Sequence, residues 1–359
     1  MSPRSVLVIS GLGHWVDGMK HTDKYYTHVY PIVEAADRVT LLTIGPTPDR
    51  PAGLDVRRVR PTGVRFLDFL RLALISMWMA KRDSYDLVVS FSLVPYGLFA
   101  LGAKYVAGTP AHLGIIGMDL DVHATGPFGP VIRRAFRRFD AISVAGRIYR
   151  DRLTQMGVEE QRIHTIAHPV RIGDGGSDRE IDLGYDLLWI GRMSPEKDPR
   201  RFVRIVAGLH ERGIDTRAAM VGDGPCYDSV LELARHRDVD HAIDLVGWQS
   251  RPIEWYQRAR LTVVTSEREM LPLTVVESML SGTPVVSPRI GGIPDIVEHG
   301  RTGYLVADRS PETFVTTIAS ALAHPYECRR MGERAMSIEE DVSVDAVADK
   351  WGTLLEAVT

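Results

Sequence analysis

A chain of 359 residues, 45% of them hydrophobic and 25% charged, exceeds the usual size of one core and predicts two globular domains. Its net charge of −3 argues against a general nucleic-acid binder. Its two cysteines, Cys226 and Cys328, supply neither a disulfide framework nor a metal-ligand pattern, which fits a reducing, cytoplasmic setting. The first ten residues lack the basic region, apolar run and cleavage site of a signal peptide. No run approaches the roughly 18 apolar residues that a membrane span needs.

In chain order, Val6-Leu7-Val8-Ile9 reads as a first strand and Ser10-Gly11-Leu12-Gly13 as a glycine turn. At Gly13 a backbone can approach a phosphate or sugar, although a plain tight turn fits the same residues. Further strands are expected at 39–42, 87–91, 113–116 and 141–144, with helices around 24–36, 64–82, 94–107, 127–139 and 147–156. Strands separated by helices imply a parallel sheet covered on both faces. The pattern restarts at Asp186-Leu187-Leu188-Trp189-Ile190 and continues through 217–221, 242–246, 261–264 and 285–286. Between the halves, 168–182 carries Gly173, Gly175, Gly176 and Ser177 among charges and reads as a linker. The expected division is therefore 1–168 and 172–341, with a last helix over 342–359 placing Val344, Val347, Trp351, Leu354 and Leu355 near helical spacing.

Two stretches suggest an anionic lipid surface. The segment 64–82 is apolar on most sides and flanked by Arg and Lys, and Arg133, Arg134, Arg137 and Arg138 lie beside Phe136 and Phe139. The plainer alternative is a buried helix and a solvated basic face.

The chemistry concentrates in the second half. Gly191-Arg192-Met193-Ser194-Pro195-Glu196-Lys197 follows its first strand. Arg192 offers a planar fork of donors and Lys197 a mobile charge, and both suit a phosphate at the carboxyl edge of a sheet. Further on, Ser266-Glu267-Arg268-Glu269-Met270-Leu271-Pro272-Leu273-Thr274-Val275-Val276-Glu277 lies between a strand and a helix. The backbone N–H groups of Leu273 and Thr274 fall at the helix start, where they suit a phosphate. Glu277, one turn in, can accept hydrogen bonds from a sugar diol, and Glu269 stands before the helix.

This second stretch, with Ser281-Gly282-Thr283-Pro284-Val285-Val286-Ser287, Gly291-Gly292-Ile293-Pro294-Asp295 and Gly303-Tyr304-Leu305-Val306, resembles the C-terminal half of retaining glycosyltransferases of family 4. The resemblance is closest from about residue 185 to 335, and Met270-Leu271 stands where the family usually has Gly-Phe. It implies an α/β fold of two Rossmann-like domains facing each other across a cleft (GT-B), the first binding acceptor and the second binding nucleotide sugar, with the C-terminal helix returning to the first. It implies a retaining hexosyltransferase that moves a sugar from a nucleoside diphosphate donor, uridine before guanosine, to a glycan or polyprenyl-linked acceptor without a metal cofactor. It also assigns Gly222, in Val221-Gly222-Asp223-Gly224-Pro225, a backbone role at the nucleotide, and Trp248 a place at the base. Asp119, in Gly117-Met118-Asp119, becomes the candidate contact to the donor sugar. Asp119-Leu120-Asp121 also fits a metal-binding pair. The rival functions are a sugar-nucleotide epimerase on the same fold and a non-catalytic sugar-nucleotide binder.

Overall fold

Among the described residues of the computed structural model of the chain, the strand pairings are parallel. It describes residues 4–10, 28–44, 53–116, 118–170 and 184–358; Gly13, Gly117 and most of the glycine-containing stretch 168–182 lie outside them. The chain divides into two compact units, Met1–Pro169 with Asp341–Thr359, and Val170–Glu340.

The first unit holds a seven-stranded sheet in the order β3-β2-β1-β4-β5-β6-β7. Its strands are β1 (Ser5–Ser10), β2 (Arg38–Ile44), β3 (Leu54–Val59), β4 (Leu87–Phe91), β5 (Ala111–Gly114), β6 (Ala141–Val144) and β7 (Ile163–Thr165). β1 is central, and Val6 to Ile9 are fully buried, as a near-continuous apolar run requires when helices cover both faces of a sheet. The edge strands β3 and β7 were not among the expected strands. β3 exposes Asp55, Arg57 and Arg58 between Leu54, Val56 and Val59, so no apolar run marks it. Charge on such an edge discourages pairing with another chain.

The helix Val344–Val358 completes this unit. Its Val347, Trp351, Leu354 and Leu355 share one core with Val6 and Val8 of β1 and Val39 and Leu41 of β2. Trp351 also stands edge-on to His112, with ring centroids 4.9 Å apart. His112 is wholly buried on β5, its Nε2 3.0 Å from the Ser143 hydroxyl. Burial, with His164 adding to it, pushes the His112 imidazole down to about 3 from 6.5. The folded state therefore keeps this ring neutral while the unfolded chain takes up a proton below the ordinary value. Stability from this site is complete above about pH 6.5 and falls as the pH drops toward 3. Between pH 7 and pH 5 the loss is expected to be about 2 kcal/mol. Urea unfolding at both pH values checks it: His112→Gln should lose less than the wild type by about that amount.

Phe136 and Phe139, expected beside a basic lipid-facing cluster, are fully buried and belong to the interior. The helix there is Gly129–Phe136, and Arg133 donates to the Ala124 carbonyl at 2.7 Å. Among the described residues, no helix is long and apolar enough to cross a membrane.

The second unit holds a six-stranded sheet in the order β10-β9-β8-β11-β12-β13. These are β8 (Tyr185–Ile190), β9 (Ala218–Val221), β10 (Ile243–Gly247), β11 (Ala259–Val263), β12 (Val285–Pro288) and β13 (Gly303–Val306). The helices Pro199–Glu211, Tyr227–His236, Leu273–Leu280 and Pro311–Leu322 connect or flank them. Phe202, Val206, Met220, Val263, Phe314 and Ile318 are among the residues of its main core.

Candidate active site

In the second sheet the chain winds outward from β8 through β9 to β10, and in the other direction from β11 to β13. The order reverses between β8 and β11, and the loops at their carboxyl ends leave a crevice where ligands of parallel α/β sheets bind. The loop after β8 carries Arg192 and Lys197, and the loop after β11 carries Glu269.

Backbone bonds fix these loops to one another. Gly191 N donates to Val221 O at 3.0 Å, Met193 N to Asp223 O at 2.8 Å, and Glu267 N to Glu196 O at 2.8 Å. Thr265 Oγ1 donates to Lys197 O at 2.8 Å and accepts from the Trp189 indole at 2.9 Å. Two glycines allow the close approach. Gly222 has φ +140°, and a Cβ there would stand 1.8 Å from the Gly191 carbonyl oxygen. Gly291 has φ +55°, and a Cβ there would stand 1.8 Å from the Glu269 carbonyl oxygen. Its neighbour Gly292 donates its N–H to Met270 O.

Two predicted site residues meet directly. Lys197 Nζ lies 2.5 Å from Glu269 Oε1, which also accepts from Ser266 Oγ at 2.6 Å. The Glu269 side chain is 10% exposed and that of Lys197 29%. Arg192 is exposed at the start of the same loop. Next to them, the Ser194 hydroxyl, 2.6 Å away, holds Glu196 below the usual carboxylate range, with its own backbone N–H, Arg192 and Lys197 adding to the effect. The loop is thus a short cationic arc with its acids already engaged.

The helix Leu273–Leu280 begins directly after Pro272, and no side chain caps its start. Val275 N and Val276 N donate to the Pro272 carbonyl, and the N–H groups of Leu273 and Thr274, next to the loop that carries Glu269, have no acceptor within the helix. Glu277, half-buried one turn in, accepts a 2.9 Å hydrogen bond from Tyr256 Oη. Tyr256 is completely buried; burial, then the Glu277 carboxylate, push its hydroxyl well above its ordinary range, so it remains a donor. Trp248, at the end of β10, is 59% exposed and so is not a core tryptophan.

Asp119 requires a correction. It lies in the first unit, wholly buried, accepting from Leu93 N at 2.9 Å, Ser92 Oγ at 3.1 Å and Ile116 N at 3.2 Å. Burial pushes its carboxyl up, and these hydrogen bonds pull it back. Its carboxylate joins two loops and is not presented to a ligand. Asp121 is engaged separately, 2.5 Å from Arg152, so the two aspartates do not form a shared metal pair. Among the described residues, the group with ligand atoms close enough for a metal is Asp238, Asp240 and His241, exposed ahead of β10 and thus at the opposite edge of the sheet from the loops above.

Two residues of the site were not anticipated. One is Tyr256, whose neighbours Trp255 and Gln257 give no hint of a carboxylate partner. The other is Arg309, whose Nη2 lies 3.4 Å from both Asp198 Oδ2 and Thr265 O, and 3.7 Å from Glu267 Oε1. It ties the loop after β8 to the loop after β11 from beyond β13. No nearby repeat or motif marks it in the sequence.

The sequence of each half matches a known domain model. Residues 22–168 match the glycosyl transferase 4-like domain, and residues 181–337 match glycosyl transferases group 1. The chain is 24% identical over 290 residues to the N-acetyl-α-D-glucosaminyl L-malate synthase of Bacillus anthracis, covering 77% of this chain and 76% of that one. It is 33% identical over 201 residues to D-inositol 3-phosphate glycosyltransferase 2 of Catenulispora acidiphila, a match spanning 50% of this chain and 47% of that protein. In fold it is similar to Anabaena HepE, solved in complex with UDP-glucose, with a TM-score of 0.78 over 98% of this chain and 99% of that one at 16% identity. It is similar also to sucrose-phosphate synthase of Thermosynechococcus elongatus, with a TM-score of 0.77 over 98% of each chain at 17% identity. With both halves matched, the chain belongs to the family-4-like glycosyltransferases, built of two Rossmann-like domains in the GT-B fold.

Proposed function

We propose that this chain transfers a hexose from a uridine diphosphate sugar to a glycan or lipid-linked acceptor, with retention at the anomeric carbon. The observation that carries the reading is the meeting of Lys197 and Glu269 at the switch point of the second sheet, between exposed Arg192 and an uncapped helix start. Cleavage of the sugar–phosphate bond leaves negative charge on the departing diphosphate. Arg192, Lys197 and the N–H groups of Leu273 and Thr274 supply positive potential there. Lys197 rests on Glu269 in the free protein, and an arriving diphosphate competes for it. Glu269 then turns its acceptor oxygens to the hydroxyls of the sugar, and Glu277, held by Tyr256, takes the ribose. The UDP found with HepE supports uridine as the nucleotide. The cations on this loop suffice for the leaving group, so no metal is assigned. A front-face departure, in which the departing phosphate takes the acceptor proton on the face it leaves, asks least of these side chains; a double displacement would need Glu269 as the nucleophile. A peripheral contact with a membrane belongs to the same reading.

The experiment is incubation with uridine diphosphate sugars and candidate acceptors, followed for free nucleotide and for glycosylated product. An epimer without nucleotide release points instead to an epimerase, and tight binding without turnover to a non-catalytic binder. Arg192→Ala is expected to lower turnover on the order of 100-fold, with the wild type insensitive to chelator. Chelator inhibition reversed by a divalent ion, with Arg192→Ala nearly normal, would overturn the metal-free reading.

Binding of the bare nucleotide tests the ribose contact. A charge-assisted hydrogen bond is worth about 1.5–3 kcal/mol, so Glu277→Ala is expected to weaken uridine diphosphate roughly 10- to 150-fold by calorimetric titration. Tyr256→Phe, which only releases the carboxylate, should weaken it less, and should have no further effect in the Glu277→Ala background.

A further inference from the structure

We infer that the helix Arg65–Asp83 of the first unit is a docking surface for an anionic lipid bilayer. It gives the peripheral contact in the proposed function a defined location and deepens that reading.

Taking 100° per residue, the helix has two distinct arcs. One is buried and holds Asp68, Leu72, Ala73, Ser76, Met79 and Ala80. The other faces solvent and carries Phe66, Leu67, Leu70, Leu74 and Trp78, between 44% and 74% exposed. Four of these, Phe66, Leu70, Leu74 and Trp78, recur at intervals of four, so they form a continuous apolar ridge roughly 18 Å long. Solitary exposed apolar residues need no explanation, but a contiguous ridge of five does.

Charge decides what covers it. The exposed cations beside the ridge are Arg71, Lys81 and Arg82, with Arg65 at the first turn of the helix; the acid at the helix end, Asp83, lies 3.7 Å from Arg82. The other acid of the helix, Asp68, is buried and accepts from Thr62 N and Thr62 Oγ1 at 2.6 and 2.7 Å. Arg60, at the loop entering the helix, adds a further exposed cation, and its carbonyl accepts from Arg71 at 3.1 Å. The Arg82 guanidinium lies 4.7 Å from the Trp78 ring centroid, leaving an aromatic and a cation together at one end of the ridge. The chain as a whole carries a net charge of −3, so this basic rim is a local concentration and not a general tendency. Apolar side chains between long cationic ones match the acyl boundary and the anionic headgroups of a bilayer. A second copy of the chain fits less well, because a two-fold contact along this ridge brings two copies of the same basic rim together.

The test is cosedimentation of the full chain with phosphatidylcholine vesicles, with and without phosphatidylglycerol. The wild type is expected to bind the anionic vesicles and to be released by salt. Leu70→Ser with Leu74→Ser, and separately Arg71→Glu with Arg82→Glu, should each lower partitioning by about tenfold or more. Both pairs are solvent-facing, and circular dichroism melts identical to wild type would exclude misfolding. If the wild type binds and both pairs bind equally well, the membrane reading survives and this surface is wrong. If the wild type binds no vesicle, the membrane reading itself falls. Dimerisation lost in the serine pair, without vesicle binding, would assign the ridge to a second copy. Transfer to a water-soluble acceptor is unaffected by any of these outcomes, so the glycosyltransferase reading is judged separately.

Discussion

Glu269→Ala is expected to reduce sugar transfer roughly 100- to 1,000-fold while leaving uridine diphosphate affinity unchanged or slightly tighter. The asymmetry follows from the ion pair. Glu269 Oε1 holds Lys197 at 2.5 Å and accepts from Ser266. Removing the carboxylate deprives the sugar of its orienting acceptor, but it releases the Lys197 ammonium toward a diphosphate. Lys197 is 29% exposed, so water solvates the released charge and the fold should tolerate the change. Turnover and nucleotide titration on the same preparation check it. Nucleotide affinity falling as far as in Glu277→Ala would sink the division of labour between the two glutamates.

Gly291→Ala should cost nearly as much activity for a different reason. The position has φ +55°, and the added Cβ would stand 1.8 Å from the Glu269 carbonyl oxygen and 2.7 Å from that of Met270. Both contacts are with backbone, which cannot swing aside as the end of a flexible side chain can. The left-handed conformation and the overlap together are expected to destabilise the second unit by about 2–4 kcal/mol, or to displace the loop instead. Displacement moves Glu269, so activity should fall roughly 100-fold even where the protein remains folded. A melting curve and a transfer assay separate the two routes. Wild-type values for both would mean that this loop does not set the site.

What the sequence made legible follows physical lines. Buried parallel strands are nearly continuous apolar runs, so β1, β4, β6 and β8 could be read directly. β3 could not, because its exposed charges break the run, and β7, Ile163-His164-Thr165, is too short to show one. The motif loops named two residues that meet at the switch point, Lys197 and Glu269, although arginine and lysine in a loop are common on any surface. Pairing across 72 residues, as between Lys197 and Glu269, is invisible without the sheet order that brings β8 and β11 together. Asp119 was misassigned because its neighbours do not tell whether a carboxylate at a strand end turns inward or outward. Here three donors from two loops draw it inward. Phe136 and Phe139 likewise lie under the arginines that surround them in the sequence.

The helix Val344–Val358 has a consequence for the order of events during synthesis. The sheet it completes begins with β1, yet its Trp351, Leu354 and Leu355 are made only after the whole second unit. A ribosome makes proteins from the amino end, and domains generally fold as they emerge. The first unit is the exception, because part of its interior is still untranslated when the second unit is complete. The nascent chain therefore holds a finished carboxyl-side domain next to an unfinished amino-side one. Until the last helix arrives, the apolar flank of β1 and β2 is open to water and to chaperones.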